Sequence, residues 1–472
     1  MKKENRPNSL RKGKTGIATL LQIGVILAVL TLSAGAQAAT QYVVGYNENN
    51  VGVVDTITNA GGTVVANYPQ TGTIIAKSEN PDFASVISAN KNFKDVTKDV
   101  EVKWLPDIKV DDTNLKKLDI PQPSISSSPF GAVLLPFQWN IFVTKTDLAW
   151  GITQGDPAVK VAVLDTGIDS FHIDLIGKVD ATQSTSFVTE PSICADSVPP
   201  VSFGAPIWQD RGFHGTHVAG IISTNNIGTA GVAPNVRLRA VKVLDCTGIG
   251  SFSSVIQGIM YAADTGNNII SMSLGAYFPK NGGPGPGSLG PLVAALNKAV
   301  NYAESKGVLV VSAAGNGAID LNKDKDNIEI PCQSGSGMCV GSTTRSDALS
   351  DFSNHGLSGP QIVAPGGGLP VTPFPATVFN ENILAPCNSR SVFLPICSSG
   401  NFYLGLEGTS MATPQVSGAA ALADSIAPKG PGSLSVGQLH NKLLQGADDL
   451  GKKGADDIYS KGRLNTLGAV TQ

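Results

Sequence analysis

Four short, almost continuously apolar runs, separated by segments of helical length, constrain the fold of this 472-residue chain most strongly. The runs cover 159–164, 238–244, 269–274 and 308–314. Segments 253–264 and 292–306, which lie between them, have the length of helices. Strands buried on both faces lose polar–apolar alternation, and parallel strands need helical crossovers. The pattern therefore predicts an α/β fold: a doubly wound, mainly parallel sheet with helices on both faces.

The segment from 41 to 104 has the pattern of a smaller α+β unit. Strand-like and helix-like stretches follow the order β-α-β-β-α-β, which is the ferredoxin-like arrangement. We expect its second helix to span 81–93 and its last strand to be 100–104. The following residues, 106–136, have the composition of a linker, with Pro and Ser dominating 121–129.

The N-terminus has the pattern of a secretory signal peptide. Residues 1–38 contain six basic side chains and one acidic side chain, then the apolar run 16–34, then small residues at Ala36 and Ala38. We expect cleavage after Ala38. An uncleaved membrane anchor is the alternative, because the run approaches the ~20 residues that span a bilayer. The net charge of −3 leaves the rest of the chain acidic, which argues against a nucleic-acid partner.

All six cysteines lie after residue 150. An even number in an exported chain suggests disulfides, although six cysteines allow fifteen pairings. Pairing of the near neighbours in short loops gives one hypothesis: Cys332–Cys339, Cys387–Cys397 and therefore Cys194–Cys246. A zinc site is less favoured, because the chain has no CxxC or HxxxH spacing.

Two motifs place an acid and a base beside the predicted sheet. Asp165 ends the first strand, in Asp-Thr-Gly-Ile-Asp, where it could orient a histidine; taken singly, an Asp at this position more often caps the next helix. His214 begins His-Gly-Thr-His-Val-Ala-Gly, which we expect to open a helix. We take His214 as a base that works near neutral pH and His217 as a buried structural histidine, since this pair alone offers too few metal ligands.

Two further motifs supply a nucleophile and an amide. Ser410, in Gly-Thr-Ser-Met-Ala-Thr-Pro, opens an Ala-rich stretch, and the free N–H groups at a helix start favour a developing oxyanion. Asn316 lies between glycines at the end of the strand 308–314, where its amide can donate to the same oxyanion. Taken singly, these residues would be read as a helix cap and a turn.

Together, these motifs resemble the subtilisin-like serine peptidases (subtilases), over residues 137–468. The order Asp, His, Ser along the chain is that of subtilisin. The resemblance implies that Ser410 attacks the peptide carbonyl, that His214 transfers the proton and that Asp165 orients His214. It also implies that Asn316 and the Ser410 N–H form the oxyanion hole. The preceding α+β unit resembles the inhibitory prodomain that helps such enzymes fold.

The resemblance also implies a substrate cleft in which the peptide binds as an added strand. The residues assigned to it are Gly248, Gly250, Phe252, Val255, Ser273, Leu274, Gly275 and Gly317. Phe252 and Val255 would line the pocket for the fourth residue before the cut, which favours apolar side chains there. Gly317 puts no charge at one wall of the primary pocket. We therefore expect broad specificity with an apolar preference.

A structural calcium site is a further implication of the resemblance. Asp174 occupies the position of a calcium carboxylate, and the loop that begins at Asn225 would supply oxygen ligands. The expected ligands are Asp174, Asn225, Ile227 and Thr229. Hard oxygen ligands suit Ca²⁺.

Together, these inferences predict that the protein is a secreted serine endopeptidase that processes its own precursor. We expect a signal peptide (1–38), a prodomain (39–105), a linker with the processing region (106–136) and a peptidase domain (137–472). The enzyme should be a monomer that acts on protein or peptide substrates at neutral to alkaline pH, inhibited by its own prodomain and free of the membrane after signal cleavage. An inactive binding protein with this fold, and a peptide ligase or macrocyclase, are the alternatives.

Overall fold

The computed structural model describes residues 38–47, 52–108, 110, 115–118, 126–194, 205–280, 289–368 and 381–472. The predicted signal peptide, apart from residue 38, lies outside the described residues, as does much of the predicted linker. Within the described ranges, no helix is both long enough and apolar enough to cross a membrane.

The described chain contains both strands and helices. The strands are β1 Thr40–Tyr46, β2 Gly62–Tyr68, β3 Thr73–Ser78, β4 Phe93–Lys98, β5 Glu101–Lys103, β6 Leu115–Leu118, β7 Lys160–Asp165, β8 Thr185–Ser186, β9 Arg237–Lys242, β10 Ile249–Ser251, β11 Ile269–Met272, β12 Ala276–Pro279, β13 Leu309–Ala313, β14 Asn327–Ile330, β15 Met338–Thr343, β16 Ile362–Pro365, β17 Ile383–Pro386 and β18 Asn401–Leu406. The α-helices are α1 Val53–Asn59, α2 Phe83–Ser88, α3 Trp139–Val143, α4 Thr146–Ala149, α5 His214–Ile222, α6 Phe252–Asp264, α7 Gly290–Ser305, α8 Thr409–Ser425, α9 Val436–Gly446 and α10 Thr466–Thr471.

A seven-stranded sheet forms the centre of the peptidase part. Its order is β16-β15-β13-β11-β7-β9-β8, and its neighbouring strands run parallel. The four apolar runs in the sequence form β7, β9, β11 and β13, and the two helical segments form α6 and α7, which confirms the predicted α/β class. Strand β9 lies on one side of β7, and β11 lies on the other. The order of the strands therefore reverses at β7, and the carboxyl end of β7 lies at the crevice where α/β proteins bind ligands.

The two faces of this sheet explain why its strands lack alternation. In β7, Val161 and Val163 pack into one core with α5 and α8, whereas Ala162 and Leu164 pack into another core with α6 and α7. Because successive side chains point to opposite faces, both sets must be apolar.

The smaller unit forms the antiparallel sheet β2-β3-β1-β4, with α1 and α2 over one face. This is the predicted element order. Val43 and Ile75, on the other face, pack into the core that contains α6 and α7. The predicted boundaries between prodomain, linker and peptidase domain stay predictions.

The prediction for the last strand of the small sheet was wrong. That strand is β4, after a shorter second helix, and β5 instead pairs antiparallel with β10 of the peptidase part. The chain leaves the small sheet at Asp99, between β4 and β5. The Oδ1 of Asp99 accepts a hydrogen bond of 3.2 Å from Ser253 N in the first turn of α6. A carboxylate at a helix start is favourable, and it directs the chain away from the small sheet.

Three disulfides join the cysteines as hypothesised: Cys194–Cys246, Cys332–Cys339 and Cys387–Cys397. Within the described ranges, the cluster of potential metal ligands that includes Glu190 depends on Cys194 and Cys246. Because those two sulfur atoms form a disulfide, they are not available as thiolate ligands for zinc.

Candidate active site

The carboxyl end of β7 and the start of α5 bring the predicted acid and base together. Asp165 is the last residue of β7, and His214 is the first residue of α5. Both carboxylate oxygens of Asp165 lie 2.9 Å from His214 Nδ1. Because carboxylate oxygens accept, Nδ1 carries the proton in this pair, and Nε2 is left as the basic nitrogen.

A glycine permits this close approach of helix and strand. A Cβ atom on Gly215 would overlap the carbonyl oxygen of Gly167 and lie 3.1 Å from Asp165 Cβ. Thr166 links the same elements, because its N–H donates to Asp165 Oδ1 at 2.7 Å and its Oγ1 accepts from Gly215 N at 3.0 Å. Any larger residue at 215 would therefore push His214 away from Asp165.

Asp210 caps the helix that carries His214. Its Oδ2 accepts from Thr216 N at 3.0 Å and from Thr216 Oγ1 at 2.6 Å, and its Oδ1 accepts from Thr166 Oγ1 at 2.9 Å. Burial raises the pKa of Asp210 to about 6, although nearby Lys242 opposes that rise. Our sequence reasoning missed this residue, yet an acid shortly before a helix start is a recognisable signal.

Ser410, the second residue of α8, is held against the residue that follows β11. Ser410 Oγ donates to Ser273 O at 3.0 Å, and Ser273 Oγ donates to Ser410 O at 2.8 Å. In a regular helix the Ser410 carbonyl would accept from residue 414, but Pro414 has no N–H. The Ser273 hydroxyl therefore satisfies a carbonyl that the helix leaves free.

The structure does not form the Ser410–His214 hydrogen bond that the resemblance implies. The Ser410 hydroxyl is directed to Ser273, and His214 Nε2 is buried without a hydrogen-bond partner among the described residues. Catalytic hydrogen bonds are often long or unformed before substrate binds. The Ser410 hydroxyl would have to turn away from Ser273 O to form the hydrogen bond that the resemblance implies.

The Asn316 amide has a defined orientation. Its Oδ1 accepts from Thr409 N and from Thr409 Oγ1, both at 2.9 Å. Since a backbone N–H can only donate, the oxygen of the amide must face Thr409. The amide nitrogen is then available as a donor, and Asn316 and Ser410 line one cavity of about 200 Å³.

Gly317, which was assigned to the primary pocket, lines the same cavity as two residues that were assigned to the peptide-binding cleft. Leu274, Gly275 and Gly317 form part of its wall. The cavity is also lined by Glu329, which the sequence analysis did not identify. Glu329 lies in a strand-like run without a motif, so no sequence signal pointed to the pocket.

Residues 101–106 lie in the predicted substrate cleft. Gly250 pairs with Val102 between β10 and β5, and Gly248 O accepts from Trp104 N at 3.0 Å. On the opposite side, Gly275 N donates to Trp104 O at 3.1 Å. This part of the chain thus lies between the two segments whose residues were assigned to the cleft, as an added strand would.

Trp104 fills the pocket that was assigned to Phe252 and Val255. Its ring centroid lies 5.3 Å from that of Phe252, and its Nε1 donates to Gly250 O at 2.9 Å. Trp104, Phe252 and Val255 are buried in one apolar core. Further along, Pro106 lines both the Ser410 cavity and a neighbouring cavity that is lined by His214 and Gly248.

The second histidine of the motif is structural. His217 is buried, and its Nε2 lies 2.8 Å from Leu404 O and 3.2 Å from Ile383 O. Because carbonyl oxygens accept, Nε2 carries the proton. Burial lowers the pKa of His217 to about 3, so the ring stays neutral across the working pH range.

The subtilase family sequence model matches residues 156–462, which include Asp165, His214, Asn316 and Ser410. The chain belongs to the subtilase family. It is a serine endopeptidase, and protein substrates follow from that class.

One of two curated relatives matches almost the whole chain, and the other matches 70% of it. An alkaline protease of Alkalihalobacillus alcalophilus is 31% identical over 480 residues, covering 97% of this chain and 98% of that protein. Subtilisin Savinase of Lederbergia lenta is 37% identical over 334 residues, covering 70% of this chain and 98% of that protein.

A solved structure shows the same fold. The epidermin leader peptide processing serine protease of Staphylococcus aureus aligns with a TM-score of 0.70 at 24% identity. That alignment covers 92% of this subtilase and 98% of the staphylococcal chain.

The residues at the expected calcium site of this subtilase do not fit the ion. The buried Asp174 carboxylate accepts from Ile227 N at 2.8 Å, from Gly228 N and Thr229 N at 3.0 Å, and from Tyr403 Oη at 2.8 Å. A calcium loop must present oxygens to the metal, but this loop directs its N–H groups to the carboxylate.

The backbone oxygens of the loop are also engaged. Ile227 O accepts from Val133 N at 3.0 Å, and Gly228 O accepts from Leu134 N at 2.7 Å. Thr229 O accepts from Thr224 Oγ1 at 2.7 Å. The Asn225 side chain donates to the carbonyl oxygens of residues 173 and 176, both at 2.9 Å. The expected ligands therefore form a closed hydrogen-bonded cluster.

Proposed function

We propose that this subtilase hydrolyses peptide bonds with Ser410 as nucleophile, His214 as general base and Asp165 as its orienting acid. One observation carries the proposal: Ser410 and Asn316 line one cavity, and His214, whose Nδ1 is hydrogen-bonded to Asp165, lines a neighbouring cavity that shares Pro106 with the first. A nucleophile, a base, an orienting acid and an oxyanion donor are the groups that acyl transfer needs.

Catalysis would begin when Ser410 Oγ turns from Ser273 O to His214 Nε2. Nε2 takes the hydroxyl proton as Oγ attacks the carbonyl carbon of the scissile bond. The negative charge that develops on the carbonyl oxygen receives hydrogen bonds from Asn316 Nδ2 and from the Ser410 N–H at the start of α8. Asp165 stabilises the imidazolium that forms.

The same groups would complete the cycle. His214 Nε2 returns its proton to the leaving amine, and an acyl-enzyme remains on Ser410 Oγ. Water then attacks this ester, His214 takes the proton of the water, and Ser410 leaves with that proton. Activity requires neutral His214, so it should rise from acid to neutral pH.

The chain is proposed to be made as a secreted zymogen. Residues 1–38 would direct export and be removed, and residues 39–105 would inhibit the enzyme while assisting its folding. The occupation of the cleft by 101–106 supports this inhibition, because a substrate cannot pair with β10 while β5 does. Self-cleavage within 106–136 would then release the prodomain.

The pocket of Phe252 and Val255 is proposed to select apolar side chains four residues before the cut. The indole of Trp104 already occupies it, which supports an apolar occupant. The pocket has an acceptor as well, because Gly250 O receives the indole N–H.

N-terminal sequencing and casein hydrolysis test this function on secreted wild type and Ser410→Ala. We expect wild type to begin within 106–136 and to digest casein. Ser410→Ala should begin at residue 39, stay uncleaved and lack activity. Casein hydrolysis by Ser410→Ala would contradict the assigned nucleophile, and equal shortening of both proteins would contradict self-processing.

A further inference from the structure

A buried carboxyl group lies in the cavity that also contains the nucleophile. Glu329, on β14, is buried and lines the cavity together with Ser410 and Asn316. None of the steps of peptide hydrolysis described above uses it. An ionisable group that is buried in a substrate cavity needs a physical reason, because burial without a partner is costly.

Two glycines define where the carboxylate lies. A Cβ atom on Gly275 would lie 2.7 Å from Glu329 Oε1, and a Cβ atom on Gly315 would lie 2.8 Å from Glu329 Oε2. Gly275 follows β11 and Gly315 follows β13, so the carboxylate is situated between the ends of two strands that wall the cavity. A side chain at either glycine would fill the space that the carboxylate now takes.

The backbone around Glu329 holds it in this position. Glu329 pairs with Tyr277 in the two-stranded sheet β12–β14. Strand β12 begins directly after the cleft residue Gly275. Glu329 N donates to Gln333 Oε1 at 2.9 Å, and Glu329 O accepts from Gln333 N at 2.8 Å. The disulfide Cys332–Cys339 then ties this segment to β15. A pocket residue needs such support to select a substrate.

The carboxylate has no cation of its own among the described residues. Its hydrogen bond there comes from the neutral Asn354 Nδ2, 3.2 Å from Oε2. Burial raises the pKa of Glu329 to about 8, and the bond from Asn354 only partly opposes that rise. A buried carboxyl group in this state is stabilised by an incoming positive charge.

We propose that Glu329 determines the primary specificity of this subtilase by binding the cationic side chain of Lys or Arg immediately before the cleaved bond. The inference rests on the proposed function, since it assumes that Ser410 attacks next to this pocket. It replaces the broad, apolar-leaning primary specificity that Gly317 alone suggested. The carboxylate supplies the charge and acceptors that a guanidinium or ammonium group requires.

The proposal limits where the precursor can process itself. Within the predicted linker, 106–136, the basic residues are Lys109, Lys116 and Lys117. With Trp104 in the pocket for the fourth residue before the cut, the position next to the cut falls on Asp107, which a carboxylate would repel. The segment must therefore shift along the cleft before it is cut, and self-cleavage should leave residue 110, 117 or 118 at the new N-terminus. A mature N-terminus after an apolar linker residue would contradict the proposal while leaving self-processing intact.

Peptide substrates that differ only in the residue before the cut provide the direct test. The residues compared are Arg, its neutral isostere citrulline, Phe and Ala. Wild type should cleave the Arg peptide with a kcat/KM at least about thirtyfold above that of the citrulline peptide, the loss expected when one member of a buried charge pair is removed. In Glu329→Gln that ratio should fall below about threefold. Glu304→Gln is the matched control, because Glu304, on α7, is a mostly buried carboxylate that faces His440 of α9 and lies outside the cavity of Ser410.

A measurement on wild type alone covers the case in which Glu329→Gln fails to fold. Benzamidine, a small cation, should inhibit cleavage of the Arg peptide competitively, and neutral benzamide should do so at least about tenfold more weakly. Equal kcat/KM for the Arg and citrulline peptides, or equal inhibition by the two probes, would overturn the specificity. Wild type that cleaves none of the four peptides or casein would instead overturn the proposed function.

Discussion

Thr409 fixes the Asn316 amide through two hydrogen bonds, from its N–H and from its hydroxyl, each 2.9 Å from Asn316 Oδ1. Thr409 is the first residue of α8, and Ser410 is the second. The same turn of helix therefore carries the nucleophile and orients the proposed oxyanion donor. A change in the helix start would move both groups together, which keeps their separation constant.

This relationship predicts that Thr409→Val lowers turnover without a large change in substrate binding. Valine keeps the backbone N–H bond and the approximate shape but removes the hydroxyl donor, so Asn316 should lose part of its orientation. We expect kcat to fall about tenfold, with KM within about twofold, in steady-state assays of the mature enzyme. Asn316→Ala should cost roughly 100- to 1,000-fold, the magnitude found for the corresponding amide of subtilisin. An unchanged kcat in Thr409→Val would show that the N–H bond alone is sufficient.

Trp104 provides a test of how the prodomain is held. Trp104→Ala removes a large buried ring, which typically costs 3–5 kcal/mol. We expect the variant precursor to become active with a shorter lag, as measured by hydrolysis of a peptide substrate after secretion. Trp104→Phe keeps an aromatic ring beside Phe252 but loses the bond to Gly250 O, so its lag should lie between the two. Equal lags in all three proteins would exclude Trp104 as an anchor.

The large sheet could be predicted because its information is local. In β7, every core position is apolar on both faces, and the period of the pattern depends only on neighbouring residues. The four catalytic candidates were found for a similar reason, since each lies within a short motif at a strand end or helix start. Their mutual distances still needed the fold.

The features that were missed depend on contacts between distant residues. The alternating pattern of 100–104 predicts a strand correctly, but nothing within it states that the partner is β10 instead of β1. Glu329 reaches the primary pocket only because β14 pairs with β12, which directly follows Gly275. The residues expected to bind calcium do not fit the ion partly because Tyr403, which is distant in the sequence, donates a hydrogen bond to Asp174.

The closed cluster around Asp174 predicts that stability does not depend on calcium. The melting temperature of Ser410→Ala, chosen to prevent self-digestion, should be the same in excess EDTA and in millimolar CaCl₂. Tyr403→Phe removes one hydrogen bond to the carboxylate and should cost about 1 kcal/mol in the free energy of unfolding. A fall in melting temperature on chelation, at any concentration that removes Ca²⁺, would restore the calcium site that the resemblance implied.

Glu329 should make stability decrease as the pH rises. Its pKa is raised from 4.5 when exposed to about 8 in the folded chain, so between these values the folded state binds more protons than the unfolded state. Linkage then requires that the free energy of unfolding falls with pH across this window, by at most about 1.4 kcal/mol per pH unit. The contribution is fully present below pH 4.5 and is lost as the pH passes 8.

Urea unfolding of Ser410→Ala with and without Glu329→Gln, at pH 5, 7 and 9, measures this effect. Glutamine does not ionise, so the double variant should gain stability relative to Ser410→Ala as the pH rises. Asp210, whose pKa burial raises to about 6, is present in both proteins and cancels in the difference. A difference that stays constant from pH 5 to pH 9 would mean that Glu329 titrates normally. The pocket would then hold a fully ionised carboxylate before any substrate arrives, and the preference for Arg over citrulline should not vary with pH.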